Sequence, residues 1–193
     1  MSGKDNIGGL EVTDIKGTKT EENLIEAFNA ESRTRSRYNF FAAIAREDGF
    51  ENIAETFKKA ADNEKEHARV WFKLLCGGKM PGTADNLKFA IENENKGWNE
   101  MYTRMAAEAR EEGFNDIAFL FESIGAVEKE HEERFSKLLT DIENDTVFTK
   151  MEKKSVWICR CCGYSTDNEH PPEKCPVCEY PKAYFTLQTY DAK

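Results

Sequence analysis

From Thr20 to Asn144, apolar residues recur at the three- and four-residue intervals of an amphipathic helix, in a background rich in Ala, Glu, Lys and Leu with few breakers. The pattern predicts four helices, over 20–47, 51–76, 84–111 and 115–143. Thr18-Lys19-Thr20-Glu21 has the form of a capping box opening the first. Gly49 and Gly113 punctuate two helix-helix turns, and Gly77-Gly78 with Pro81-Gly82 marks the connection between the second and third helices. After Asn144 the periodicity ends. Residues 145–154 read as a short polar linker, 155–193 as a separate small module, and 1–17 as a flexible lead.

The helical region repeats itself. Ala45-Arg46-Glu47-Asp48-Gly49-Phe50 returns as Ala109-Arg110-Glu111-Glu112-Gly113-Phe114, and Ile53, Ala54 and Phe57 return as Ile117, Ala118 and Phe121, always 64 residues later. Shared amphipathic composition alone would not preserve register and the Gly-Phe turn together, so the region reads as two homologous helical hairpins.

The same offset superposes Glu64-Lys65-Glu66-His67 on Glu128-Lys129-Glu130-His131, which hold two of the chain's three histidines. On a helix, positions i and i+3 share a face, so each motif aims a carboxylate and an imidazole at one point. One such motif is ordinarily a solvated face. Two in register predict a two-metal site inside a four-helix bundle, completed by a Glu from each of the other two helices. In the first hairpin that residue is Glu31, with Tyr38 seven positions later on the same face. In the second, the offset places Tyr102 opposite Tyr38 but lands on Asn95, with Glu94 one residue earlier. A π-bulge between Glu94 and Tyr102 would absorb the extra residue, a distortion often found at functional sites. Four carboxylates would balance the charge of two divalent ions.

Five of the six cysteines lie within the C-terminal module, where Cys159-x-x-Cys162-Gly163 and Cys175-Pro176-x-Cys178 form two chelating turns for a tetrahedral four-thiolate site. About 40 residues cannot bury enough core unaided, so a metal must hold this module together. Iron and zinc both suit four thiolates. Trp157, Tyr164, Tyr180, Tyr184 and Phe185 would form an aromatic cluster around a redox iron, or the core of a zinc ribbon. Cys161 and Cys76 are spare, and His170 reads as a surface residue. With 36 acidic against 27 basic residues the net charge is −9, which argues against general affinity for nucleic acid or anionic membrane. No stretch approaches the roughly 18 apolar residues of a membrane span, and Met1 to Gly17 has no apolar signal-peptide core, so the chain reads as cytoplasmic.

Glu31-Ser32 followed by Arg37-Tyr38-Asn39-Phe40, Glu94 followed by Glu100-Met101-Tyr102, and Trp157-x-Cys159-x-x-Cys162-Gly163-Tyr164 together resemble the rubrerythrin family. The resemblance runs from Thr20 to Leu187. It implies an all-α ferritin-like four-helix bundle (18–144) followed by a small, mostly irregular and β, rubredoxin-like metal-binding domain (155–193). It also implies a non-haem peroxidase that reduces hydrogen peroxide to water. Its cofactors would be two iron ions at Glu31, Glu64, His67, Glu94, Glu128 and His131, and one iron at Cys159, Cys162, Cys175 and Cys178, where zinc is an alternative occupant. Tyr38 and Tyr102 would donate to ligand carboxylates, and an electron-donating reductase or a rubredoxin would be the redox partner. A ferroxidase using the same bundle is the competing activity, and a zinc-ribbon interaction module the competing role for the cysteines. The family usually carries a further Glu where this chain has Gly97, so the resemblance here implies a more symmetric six-ligand site with His67 a ligand in both oxidation states.

Two geometric expectations concern assembly. A helix of about 26 residues is roughly 39 Å long, so a mid-helix site lies far from a module attached at the bundle end, and a head-to-tail dimer, the family's solution, brings the two centres together. In a ferritin-like bundle the second and third helices run parallel, yet only about seven to ten residues join them, barely enough to return along the bundle. The expected homodimer therefore pairs helices 1 and 2 of one chain with helices 3 and 4 of another.

Overall fold

The structure, a computed structural model, describes residues 15–150 and 155–189. Most of the expected lead (1–14), the linker residues 151–154 and the last four residues lie outside the described residues. The helical rods fall where the periodicity places them: α1 is Lys19–Glu47, α2 Glu51–Leu75, and α5 Asn115–Glu143. The third expected helix is one rod in three parts, α3 (Thr83–Lys96), a π-helical turn (Gly97–Tyr102) and α4 (Thr103–Glu111). The chain divides into two compact units, residues 1–82 and 83–193.

In the first unit α1 packs on α2; in the second, the α3–α4 rod packs on α5. The two hairpins turn in the same way. Gly49 (φ +83°) and Gly113 (φ +88°) occupy the left-handed conformation that stops each helix, with Phe50 N–H donating to Ala45 O and Phe114 N–H to Ala109 O, both at 2.8 Å. A side chain on either glycine would strain the turn, which is why the Gly-Phe pair recurs. The box at the start of α1 is half formed: Thr18 Oγ1 accepts from Glu21 N–H, but the Glu21 carboxylate reaches back to Gly17 N–H rather than Thr18.

Each hairpin closes on a seam of small residues. Ala54, Ala61 and Ala68 are buried along α2 at seven-residue spacing, facing Ala42 and Ala45 of α1. The matching stripe on α5 is Ala118, Gly125 and Glu132, facing Ala106 and Ala109 of α4. The large apolar side chains point elsewhere: Phe40, Phe41, Ile44 and Ile53 of the first hairpin, and Phe89, Phe119, Leu120 and Val127 of the second, are exposed. Alanine seams alone bury little area, and these large apolar side chains lie outside them.

The C-terminal module is a three-stranded antiparallel sheet in the order β2-β1-β3, with β1 Ser155–Cys159, β2 Ser165–Thr166 and β3 Phe185–Thr189. Its core is Trp157, Cys159, Cys175 and Phe185, flanked by Phe148, Tyr164 and Cys178. This corrects the expected aromatic cluster. Tyr180 and Tyr184 are exposed and stack edge-to-face on each other at 4.6 Å, while Phe148, from the stretch read as linker, takes the inner position against Trp157. Lys150 N–H donates to Glu169 O, and exposed His170 brings Nδ1 within 2.9 Å of Phe148 O, which ties this stretch to the module.

Candidate metal centres

The structure gathers the six expected ligands as two triplets, one per hairpin. Glu31, Glu64 and His67 converge in the first, and Glu94, Glu128 and His131 in the second; within each triplet one ligand atom per residue lies within 4.8 Å of the others. The i, i+3 spacing sets the inner contacts, with His67 Nδ1 2.9 Å from Glu64 Oε2 and His131 Nδ1 3.0 Å from Glu128 Oε2. Glu31 Oε2 lies 3.7 Å from His67 Nδ1, and Glu94 Oε2 3.9 Å from His131 Nδ1. In both histidines Nδ1 is therefore the nitrogen turned toward the carboxylates.

Two carboxylates at such range repel unless they share a cation or a proton. Contact with Glu64 holds the Glu31 carboxyl above the usual carboxylate range, and the same contact holds Glu64 below it. Glu94 and Glu128 repeat the division, Glu94 raised and Glu128 lowered. Convergent oxygens from two acids beside one imidazole nitrogen are a donor set for a borderline divalent ion such as ferrous iron or zinc.

The extra residue before Tyr102 is absorbed where the offset requires. Gly97–Tyr102 forms the π-helical turn, so Glu94 reaches Glu128 and His131 although it is one position out of register with Glu31. Trp98, Gly125 and Glu132, which the sequence pattern did not single out, meet at this turn. Trp98 Nε1 donates to Glu132 Oε2 at 2.5 Å, Asn95 Nδ2 donates to both Glu132 oxygens at 3.1 and 3.2 Å, and Gly125 faces Trp98 and Tyr102. The signal that could have found Gly125 and Glu132 was present: at these two seam positions the second hairpin departs from Ala61 and Ala68. Tyr38 packs on Phe41 and Phe57, and Tyr102 on Phe121.

The four cysteines converge in the C-terminal module, with Cys159 Sγ 3.7 Å from Cys178 Sγ and Cys162 Sγ 3.5 Å from Cys175 Sγ. Each pair sits in the same kind of turn: Gly163 N–H donates to Cys159 O and Glu179 N–H to Cys175 O, both at 2.9 Å. The residue after each second cysteine is left-handed, Gly163 at φ +80° and Glu179 at φ +61°. Burial opposes ionisation of Cys175, yet the Cys178 and Val177 amides aimed at its sulfur bring its pKa down to about 7. Cys178 moves the opposite way: the Tyr180 amide favours its thiolate, but burial and the neighbouring sulfurs outweigh that and push it up. Four sulfurs at this range, served by inward backbone amides, are a tetrahedral thiolate donor set. Cys161 is exposed beside Tyr180, and Cys76 caps α2, partly buried; neither joins a triplet or the sulfur cluster.

The rubrerythrin family model matches residues 22–139 and again 85–159, and the rubrerythrin rubredoxin-like domain model matches 157–186. The chain belongs to the rubrerythrin family. Rubrerythrin of Porphyromonas gingivalis is 43% identical over 182 residues, covering 89% of this chain and 90% of that protein. Rubrerythrin-1 of Clostridium acetobutylicum and rubrerythrin of Nitratidesulfovibrio vulgaris are each 40% identical, with 90% of this chain and 96% of theirs covered. The double match of the rubrerythrin model overlaps between residues 85 and 139. The ferritin-like fold with a C-terminal rubredoxin-like module follows from this membership and from the elements described above. Among the described residues no helix is long and apolar enough to cross a membrane.

Proposed function

We propose that the chain is a non-haem di-iron peroxidase that reduces hydrogen peroxide to water, with electrons entering through an iron held by the four cysteines. The observation that carries this reading is the presence in one chain of two matched Glu-Glu-His triplets and a four-thiolate cluster. A storage or ferroxidase bundle has no need of the second.

In this reading Glu31, Glu64 and His67 from one hairpin, and Glu94, Glu128 and His131 from another, hold the di-iron centre, and Cys159, Cys162, Cys175 and Cys178 hold the single iron. Two ferrous ions held by the Glu and His residues would supply, one each, the two electrons that with two protons convert one hydrogen peroxide to two waters. The chain's residues set the conditions. Each histidine presents Nδ1, fixed by its i−3 glutamate. Tyr38, held against Phe41 and Phe57, and Tyr102, held against Phe121, would donate to ligand carboxylates. The amides aimed at Cys175 bring its pKa down to about 7, which eases the loss of the proton that metal binding requires. The electron donor is a reductase or a rubredoxin, and cysteines without disulfides suit the reducing cytoplasm.

The centre is shared between two copies of the chain, the first hairpin of one packing on the second hairpin of the other. The exposed apolar faces of both hairpins and the seven residues, 76–82, between α2 and α3 support this. Anaerobic stopped-flow mixing of the ferrous protein with peroxide and with dioxygen tests the activity. Faster oxidation by peroxide, followed by re-reduction through the coloured four-thiolate centre, is the expected result. A preference for dioxygen would make the protein a ferroxidase, and a colourless zinc-loaded sulfur site would remove the electron route.

A further inference from the structure

Several differences between the two hairpins cluster around one turn. Only the second has a π-helical turn, and only there does the small-residue seam carry Gly125 and Glu132 in place of the Ala61 and Ala68 found in the first. Both seam residues meet the wide turn. A Cβ on Gly125 would lie 3.4 Å from Tyr102 Cβ and 3.9 Å from Trp98 Cα, so this seam position packs directly on the widened turn. One helical turn on, the half-buried Glu132 carboxylate accepts from the Trp98 indole and from the Asn95 amide. Lys129 covers the outer face of the same indole at 5.3 Å. Thr103 Oγ1 donates to Trp98 O at 2.9 Å, satisfying a carbonyl within the widened stretch.

We propose that Glu132 is a positioning residue that locks the register of this helix: by holding Trp98 and Asn95 it keeps the π-turn open, and so keeps Glu94, not Asn95, facing Glu128 and His131. The inference rests on the metal-centre reading above. A π-turn stores one residue more than an α-turn. Tightened to α geometry, it would rotate the preceding segment by roughly 100° and shift it by about 1.5 Å. Asn95 stands seven residues before Tyr102, as Glu31 stands before Tyr38, and would then take the ligand position with a neutral amide. Glu132 opposes this directly, since the Asn95 amide that would enter the centre is bonded to it. Hydrogen bonds to a charged carboxylate are the stronger kind and suit the task.

Anaerobic titration of Co(II) into the full-length, metal-free protein tests the lock. Cobalt at the cysteines is read separately by its intense thiolate charge-transfer bands. Glu132→Ala and Trp98→Phe are each expected to weaken cobalt binding at the carboxylate centre by about 10- to 100-fold, with helical content and the sulfur-site bands unchanged. Glu132→Gln keeps one acceptor oxygen without the charge and should weaken binding less than Glu132→Ala. Adding Asn95→Glu to Glu132→Ala should restore binding, because the collapsed register presents residue 95. If Glu132→Ala fails to fold, Trp98→Phe decides alone. Wild-type affinity in the Ala and Phe variants overturns the proposal, as does Glu132→Gln binding as weakly as Glu132→Ala, or no rescue by Asn95→Glu. A wild-type protein whose carboxylates bind no cobalt overturns the metal-centre reading and the lock with it.

Discussion

Replacing Glu64 and His67 by Ala in one copy of the chain, and Glu128 and His131 by Ala in another, separates a shared centre from one built within a single chain. The reach of the connector makes the case quantitative. In the ferritin-like arrangement α2 and α3 run parallel past a common centre. From Glu64 and His67 to the end of α2 is 8 to 11 residues, about 12–16 Å, and from Thr83 to Glu94 is another 11, about 16 Å. The connection must therefore climb about 30 Å, besides crossing the 8–10 Å between helix axes. Eight Cα steps from Leu75 to Thr83 reach about 29 Å when fully extended. They are not extended, because Gly77 and Gly78 curl back, with Gly78 N–H donating to Lys73 O at 2.8 Å, and the five steps left span about 18 Å. Under the proposed function, a connector that falls short by more than 10 Å leaves the second hairpin to be supplied by another copy of the chain.

With exchange, a mixed dimer joins both damaged halves in one centre and both intact halves in the other. Random assortment in co-expressing cells makes about half the dimers mixed, so about a quarter of all centres are whole; dimers purified through two different tags should hold about half the wild-type iron and peroxide turnover per chain. A centre within one chain leaves a damaged half everywhere and restores nothing. Mixed dimers without carboxylate-bound iron would refute the reasoning.

Other outcomes follow from the same geometry. Glu31 and Glu94 are raised, so they hold protons at a higher pH than free Glu and must release them to bind metal; apparent affinity should rise as pH rises through those raised values and fall below them, measured by Fe(II) or Co(II) titration at several pH values. An affinity flat across the carboxylate range would contradict this. Trp157→Ala removes the largest side chain of the small core, 2% exposed, and should destabilise the module by about 3–5 kcal/mol, read as loss of the four-thiolate colour at a lower denaturant concentration. Glu179→Gly relieves a left-handed residue in one cysteine turn and should raise stability by about 1 kcal/mol, while Gly163→Ala in the other should lower it by a similar amount, since no atom lies near enough to oppose the new Cβ sterically. With no carboxylate at Gly97, metal positions in oxidised and reduced crystals should coincide to within less than a metal–ligand bond length.

The sequence made the helical rods legible because the two hairpins are copies. Comparing them fixed the helix limits to within a residue or so, and the mismatch between 63 and 64 in the spacing of Glu94 revealed the π-turn before any coordinates. Glu132 and Gly125 are not legible from the positions where the copies agree, because the seam departs from alanine there. Periodicity alone also could not sort the aromatics of the C-terminal module. Tyr180 and Tyr184 share composition with Trp157 and Phe185, but only the latter lie on strands whose pairing turns them inward, and Phe148 enters that core from a stretch with no pattern at all.

The brevity of residues 76–82 has a further meaning for the protein in a cell. If a complete centre requires two chains, metal occupancy becomes a function of how many chains are present. Dilution that separates the copies also releases the metal, and melting becomes dependent on protein concentration. A few stray chains would then carry half-sites that bind iron weakly and cannot turn over peroxide. Induction past the dimerisation threshold would switch on binding and catalysis together, so a seven-residue connector makes gene dosage an input to the chemistry.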